Sequence, residues 1–327
     1  MAGAVTRSGL VVMAYGTPGS PDEIEAYYTH IRRGRPPSPE QLAELVSRYE
    51  AIGGTSPLAA RTRDQVAAIR AALDAAAPGE WVVELGTKHA PPFIEDGVQA
   101  LAKAGVARAV GLVLAPHYSR GSVGEYHARA RAAADEAGLA YVGIDSWHDS
   151  EPWIAAQAER VRAARAGLPP ATEVLFTAHS LPERVLEGDR YVDELEASAR
   201  AIAARADLGP GPGGGTRGGS GGAAGPADGA GWRLAWQSAG RTPEPWRGPD
   251  VAEVIRELGA GGAVAGVLVC PQGFTSDHLE VLYDLDVDAR RVAEEAGLAF
   301  ARTASINDDP AVMADLAARV RRAAGPS

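Results

Sequence analysis

Two similar α/β domains, each built on a doubly wound parallel sheet, are what this sequence of 327 residues predicts. Three observations carry that expectation. Short aliphatic runs alternate with Ala-rich amphipathic stretches of helical length, the order of a parallel α/β sheet. The runs are continuously apolar rather than alternating, as in strands buried on both faces. The chain also repeats itself. LVVMAYGTP (10–18), a strand opening on Trp81 and GLVLAPHYSRGSVGEY (111–126) are answered by EVLFTAHSLP (173–182), a strand opening on Trp232 and GVLVCPQGFTSDHLEV (266–281). In that alignment Tyr15 corresponds to His179, Pro116 to Pro271 and Glu125 to Glu280.

In chain order, strands are expected at 10–14, 81–86, 109–115, 140–144, 173–178, 233–238, 263–270 and 299–303. Each is short and aliphatic and runs into Gly, Pro or polar residues, which stop a strand. Amphipathic helices are expected at 61–76, 124–137, 153–166, 194–204 and 251–258, and a last one at 310–324. The repeat divides the chain into domains over 1–165 and 166–310, with 311–327 a helix that packs back on the first. Between the helix at 194–204 and the strand at 233 lies GPGPGGGTRGGSGGAAGPADGAG (209–231), with 12 glycines in 23 residues. Such a tract has too little apolar surface to offset its ordering entropy, so it reads as a flexible insertion. It lacks the GK[ST] ending and following helix of a phosphate loop.

Charge and cysteine usage narrow the function. The formal net charge is −10, which argues against a nucleic-acid binder and against a polybasic membrane surface. No run of about 18 apolar residues offers a transmembrane helix, and residues 1–8 lack the apolar core of a signal peptide. A cytoplasmic protein is expected. The single cysteine, Cys270, excludes an internal disulfide and a cluster ligated by this chain's cysteines alone. Nothing in the sequence demands more than a monomer.

In doubly wound sheets, ligands bind outside the carboxyl ends of the strands, and with two domains the cleft between them is the expected site. The residues placed there are Tyr15–Thr17, Lys88, His89, His117, Tyr118, His179, Ser180, Gln237, Ser238 and 272–280. His179 and Glu280 stand out. An imidazole beside a carboxylate can accept protons near neutrality or hold a divalent cation. Asp277, Glu280 and Asp284 recur at steps of three and four, so a helix would put them on one face. The plainer alternatives are a hydrogen-bonded structural histidine and a solvated acidic helix. No HExxH, no G-x-S-x-G elbow and no G-x-G-x-x-G after a strand is present. Near the N-terminus, YYTHIRRGR (27–35) and Arg48–Tyr49 set aromatic rings beside arginines, a pairing that suits a flat aromatic ligand carrying carboxylates.

Seven motifs in order resemble the ferrochelatase family, and within it the soluble bacterial branch that acts on coproporphyrin. They are MAYGTP (13–18), YYTHIRRGR (27–35), RYEAIGGTSPL (48–58), APHYSRGSVGEY (115–126), FTAHSLPE (176–183), WQSAGRTPEPWRGPDV (236–251) and CPQGFTSDHLEVLYD (270–284). The resemblance implies two Rossmann-like domains without a nucleotide. It implies insertion of Fe²⁺, a substrate rather than a resident cofactor, into a porphyrin with loss of two protons, as a step of heme biosynthesis. By the same resemblance His179 and Glu280 are the catalytic and metal-binding pair, and Tyr15 is an axial ligand to the product iron. Tyr15, Arg32, Arg48, Tyr49, Ser56 and Tyr126 hold the macrocycle and its propionates, and Asp277, Asp284 and Asp288 form an acidic relay. Some relatives carry a [2Fe–2S] cluster on cysteines. With Cys270 alone this chain is expected to carry none, and no hydrophobic anchor follows residue 324. Protoporphyrin IX is the alternative substrate within the family. Two further readings are a cobalt or nickel chelatase acting on a sirohydrochlorin-type ring, which would usually show a His pair, and a tetrapyrrole or metal carrier without turnover.

Overall fold

The first strand, β1 (Ser8–Ala14), is the centre of its sheet because nothing in Leu10–Met13 can face water: all four residues are fully buried. Burying one such side chain stabilises the fold by about 1.5–3 kcal/mol. The computed structural model describes residues 7–209, 211, 231–240 and 242–325. After β1 come α1 (Ile24–Ile31), α2 (Pro39–Ala51), α3 (Leu58–Ala76), β2 (Trp81–Thr87), α4 (Ile94–Lys103), β3 (Arg108–Val113), α5 (Val123–Glu136) and β4 (Ala140–Ile144). The strands are all parallel, in the order β2-β1-β3-β4. Val11, Met13, Ile94, Val98 and Leu101 join the residues under α5 in one core. The last helix, α11 (Pro310–Ala324), packs on α3 and β3 in this same unit, and the Arg108 guanidinium bonds the Ala324 carbonyl.

The second unit follows the same plan. It contains α6 (Glu151–Arg165), β5 (Thr172–His179), α7 (Glu183–Leu186), α8 (Tyr191–Arg205), β6 (Trp232–Gln237), α9 (Val251–Gly261) and β7 (Gly266–Cys270). A π-helix (Val281–Ala289), α10 (Arg290–Glu295) and β8 (Ala299–Arg302) complete it. Its strands are parallel in the order β6-β5-β7-β8, the first unit's order restated. The fold class read from the sequence, two similar α/β domains, is the observed one. Because the strands are parallel, every helix-to-strand connection enters at the amino edge of its sheet and every strand-to-helix connection leaves at the carboxyl edge.

Local chemistry sets the helix ends. Ser38 and Gln41 form a reciprocal capping box at α2 with Pro39 at the first helical position, and Asp250 with Glu253 does the same at α9. Gly262 closes α9 in a left-handed conformation, φ +63°.

The division of the chain differs from the expected boundary at residue 165. Contacts assign everything to Trp147, with 275–279 and 307 onward, to the first unit, and 148–274 with 280–306 to the second. The helix α6 follows β4 in sequence but packs on α8 and β7, so it belongs to the second unit. Residues 210 and 212–230 of the glycine-rich tract, where the flexible insertion was expected, lie outside the described residues.

Candidate active site

Of the residues singled out in the sequence, seven belong to the first unit (Tyr15, Arg32, Arg48, Tyr49, Ser56, Tyr126, Asp277) and four to the second (His179, Glu280, Asp284, Asp288).

In the second unit, His179 is the last residue of β5, at the carboxyl edge. Its backbone is pinned on two sides. The Tyr191 hydroxyl donates to the His179 carbonyl (3.2 Å), and the next residue, Ser180, donates its N–H to Gln237 O (2.8 Å) and its hydroxyl to Arg247 O (2.7 Å). The register partner of His179 across the sheet is Gln237, the last residue of β6. Gln237 is 1% exposed, and its side-chain amide donates to the Glu280 carbonyl at 3.3 Å. Glu280 is the N-cap of the π-helix. The neighbouring Ser238 takes a left-handed conformation, φ +59°, and its hydroxyl bonds the buried Asp284 carboxylate one turn further on. At the helix's far side Asp286 accepts two bonds from the Arg302 guanidinium, 2.8 Å each, tying the helix to β8.

The acidic row is altered by this geometry. The helix begins at Leu279, so Asp277 lies ahead of it and the step from Asp277 to Glu280 is not a helical step. Asp277 sits ahead of it, its N–H on Asn307 Oδ1 and its carboxylate on Asn307 Nδ2, 3.2 Å each. Glu280, Asp284 and Asp288, four residues apart, remain on the helix. Its π form, with i→i+5 bonding, is rare and is found mostly where function needs it.

In the first unit, Tyr15 follows β1 at the corresponding edge and is 39% exposed, among the few large apolar side chains that are. Its ring lies 4.6 Å from the His89 ring, and His89 N–H donates to the Tyr15 carbonyl. His89 in turn meets His30 of α1, Nδ1 to Nδ1 at 3.1 Å, a distance that requires one nitrogen to carry the proton the other accepts. Burial first, then the nearby Lys88, His30 and Arg129 cations, push the His89 imidazole down to about 3, so it stays neutral. Lys88 reaches the Glu125 carboxylate and lies over the Tyr126 ring. Arg129 buttresses this corner by holding Glu95 in a two-point grip, 2.7 Å each, and donating to Lys88 O at 2.8 Å. Tyr126 is buried. Burial, then the neighbouring Tyr15 phenol, hold its own phenol well above the ordinary range.

The remaining predicted contacts are spread along this unit. Arg32 caps the C-terminus of α1 with its guanidinium over the Tyr28 ring and Nε on Arg35 O (3.2 Å). Arg48 lies in the last turn of α2. Tyr49, beside it, is buried with its hydroxyl 3.4 Å from Thr17 Oγ1. Ser56 is buried and accepts the Leu58 N–H at the start of α3, so its hydroxyl serves the helix. Sequence reasoning placed Lys88, His89, Gln237 and Ser238 near strand ends without giving them roles. Their signal was present in the repeat, since Lys88 and His89 follow β2, while Gln237 ends its counterpart β6 and Ser238 follows it.

The fold is shared with proteins of known chelatase structure. Over 98% of its length the chain superposes on DR2241 of Deinococcus radiodurans, a multi-domain protein with structural similarity to chelatases, at a TM-score of 0.51 and 12% identity, spanning 56% of that chain. It superposes on SirB from Bacillus subtilis with Fe³⁺ at a TM-score of 0.56 and 13% identity, covering 98% of this chain and 96% of that one. Identities this low speak for the fold alone. The family itself is shown by sequence. The ferrochelatase family model matches residues 7–324, and the coproporphyrin III ferrochelatase of Geobacillus kaustophilus is 41% identical over 320 residues, 96% of this chain and 95% of its own. The chain belongs to the ferrochelatase family.

Proposed function

We propose that this protein inserts ferrous iron into coproporphyrin III, releasing two protons, as a metal-inserting lyase of heme biosynthesis. The observation that carries the reading is the near-complete match to a coproporphyrin III ferrochelatase; His179 at the end of β5 and Glu280 at the start of the π-helix are the pair the reading assigns to the chemistry. Metallation requires two pyrrole N–H protons to leave while a hydrated cation loses water. In this reading His179 accepts a pyrrole proton and Glu280 stabilises the imidazolium that results, or receives the cation with it. Holding the ring in a fixed geometry supplies much of the rate, because a bound macrocycle and cation no longer need to find one another.

In the same reading Tyr15 faces the macrocycle as an axial donor to the product iron. Arg32 and Arg48 grip propionates, and Tyr49, Ser56 and Tyr126 line the ring. Asp284 and Asp288 remain candidates for passing protons or metal, with Asp277 separate from their helix. Iron is substrate. One cysteine, buried in β7 with its thiol pushed up to about 12 by that burial, supports a protein with no [2Fe–2S] cluster of its own. No helix among the described residues is long and apolar enough to cross a membrane. A cytoplasmic location and a monomeric state complete the proposal.

The test is anaerobic metallation of coproporphyrin with Fe²⁺, beside a sirohydrochlorin sample. Product beyond one equivalent supports the enzyme, growth stopping at one equivalent supports a carrier, and product only from sirohydrochlorin supports a sister chelatase. His179→Ala is expected to abolish insertion and leave porphyrin binding largely intact. Near-normal turnover by that variant would remove His179 from the mechanism.

A further inference from the structure

We infer that the Gln237–Ser238 pair is a positioning element for Glu280, locking the first turn of the π-helix to the carboxyl edge of the sheet that carries His179. The inference rests on the proposed His179/Glu280 site. Two consecutive residues grip two points four residues apart on the helix: the Gln237 amide takes the Glu280 carbonyl at 3.3 Å, and the Ser238 hydroxyl takes the Asp284 carboxylate. Gln237 is itself fixed, because it is the register partner of His179 and its carbonyl receives the Ser180 N–H at 2.8 Å. One residue therefore contacts both the strand end holding the histidine and the cap residue holding the carboxylate.

Two features indicate that the arrangement is kept for more than packing. Ser238 is a non-glycine residue at φ +59°, a conformation that disfavours side chains other than those with local hydrogen bonds, and its hydroxyl is used. Gln237 Oε1 is buried with no hydrogen-bond partner among the described residues. The Glu280 carbonyl fixes the amide orientation, since a flipped side chain would set two oxygens against each other. An orphan acceptor of this kind calls for a reason, and the grip on Glu280 supplies one. Asp284 is on this account also a helix anchor, held by the Ser238 hydroxyl.

A double-mutant cycle on the full chain tests the inference, with Gln237→Leu, Glu280→Gln and the pair combined. A misplacement near 1 Å is enough to cost about 100-fold in rate, so Gln237→Leu is expected to lower kcat about 10- to 100-fold with the porphyrin KM within about two-fold. Because Gln237 acts through Glu280, adding Gln237→Leu to Glu280→Gln should cost no further rate. The Co²⁺ absorption spectrum of the metal site should change in Gln237→Leu while porphyrin binding stays. Ser238→Gly, which permits the same backbone conformation without the anchor, should lower kcat in the same direction and guards against misfolding of the first variant. Independent, multiplying losses, or a normal kcat in Gln237→Leu beside an inactive Glu280→Gln, would overturn the positioning role and leave the site reading standing. A fully active Glu280→Gln would overturn both.

Discussion

Gly16 follows Tyr15 at φ +88°, and a methyl group built on it would meet Thr87 Oγ1 at 2.7 Å and the Ala90 backbone N at 2.9 Å. Gly16→Ala therefore carries two penalties. The left-handed backbone costs an alanine about 1–2 kcal/mol, and forcing a methyl into a packed corner costs about 1–3 kcal/mol more. The sum, about 2–5 kcal/mol, is a large share of a stability on the order of 5–15 kcal/mol. At roughly 2–4 °C per kcal/mol for a unit of this size, Tm should fall visibly. Gly79→Ala isolates the first penalty, because Gly79 has φ +75° and nothing within 4 Å of the added methyl. Thermal and urea unfolding of both variants should show a loss for Gly16→Ala larger by the steric part. Gly16, next to Tyr15 in the chain, also accepts the Tyr27 hydroxyl on its carbonyl at 3.2 Å. Its variant should therefore raise the porphyrin KM, and the Gly79 variant should not. Equal stability losses in the two would refute the steric argument.

Arg32→Ala should raise the KM for a propionate-bearing porphyrin while kcat changes little, because it removes binding common to substrate and transition state. An unchanged KM in steady-state assays would count against propionate contact there. His127 gives a pH prediction. It accepts the Tyr141 hydroxyl on Nδ1 (2.7 Å) and contacts Ile144 O through Nε2 (3.1 Å), so the neutral ring fits the site. Burial lowers its folded pKa, with Arg131 acting in the same direction and the Ile144 carbonyl and Asp145 opposing. The unfolded chain then binds the extra proton, so the stabilisation is present above the ordinary histidine value near 6.5 and is lost as pH falls from there toward the folded pKa. His89, also lowered, adds to the same slope. His127→Gln, which keeps a donor and an acceptor but does not titrate, should show a shallower fall in urea-derived stability between neutral and mildly acidic pH. An unaltered slope would contradict this.

The strands were legible because their cause is local. A run such as Leu10–Met13 or Val174–Phe176 is buried on both faces, and its composition says so. Helix α11 was read at its observed bounds, since Asp309 and Pro310 announce its start and Gly325 its end. Helices α1, α2 and α4 escaped because their sequences mix charge, aromatic rings and glycine, and α2 owes its start to a capping box rather than to periodicity. The His179 and Glu280 positions were visible through the internal repeat and the family motifs. The π form was not, because a spacing of four fits both helix types. The Gln237 and Ser238 bonds were hidden for another reason: they depend on which strand lies beside which, and 43 and 46 residues separate the bonded pairs.

The parallel direction of every strand gives the two rims of the second sheet different freedoms. The carboxyl rim carries His179, Gln237 and the loop toward Glu280, where a small displacement is costly. The strand β6 itself starts at the opposite rim, with Trp232. Change can accumulate on that side without reaching the chemistry. For the experimenter this rim is the permissive side: a polar substitution of Arg233, near the start of β6, should change turnover far less than one at Gln237, at its end.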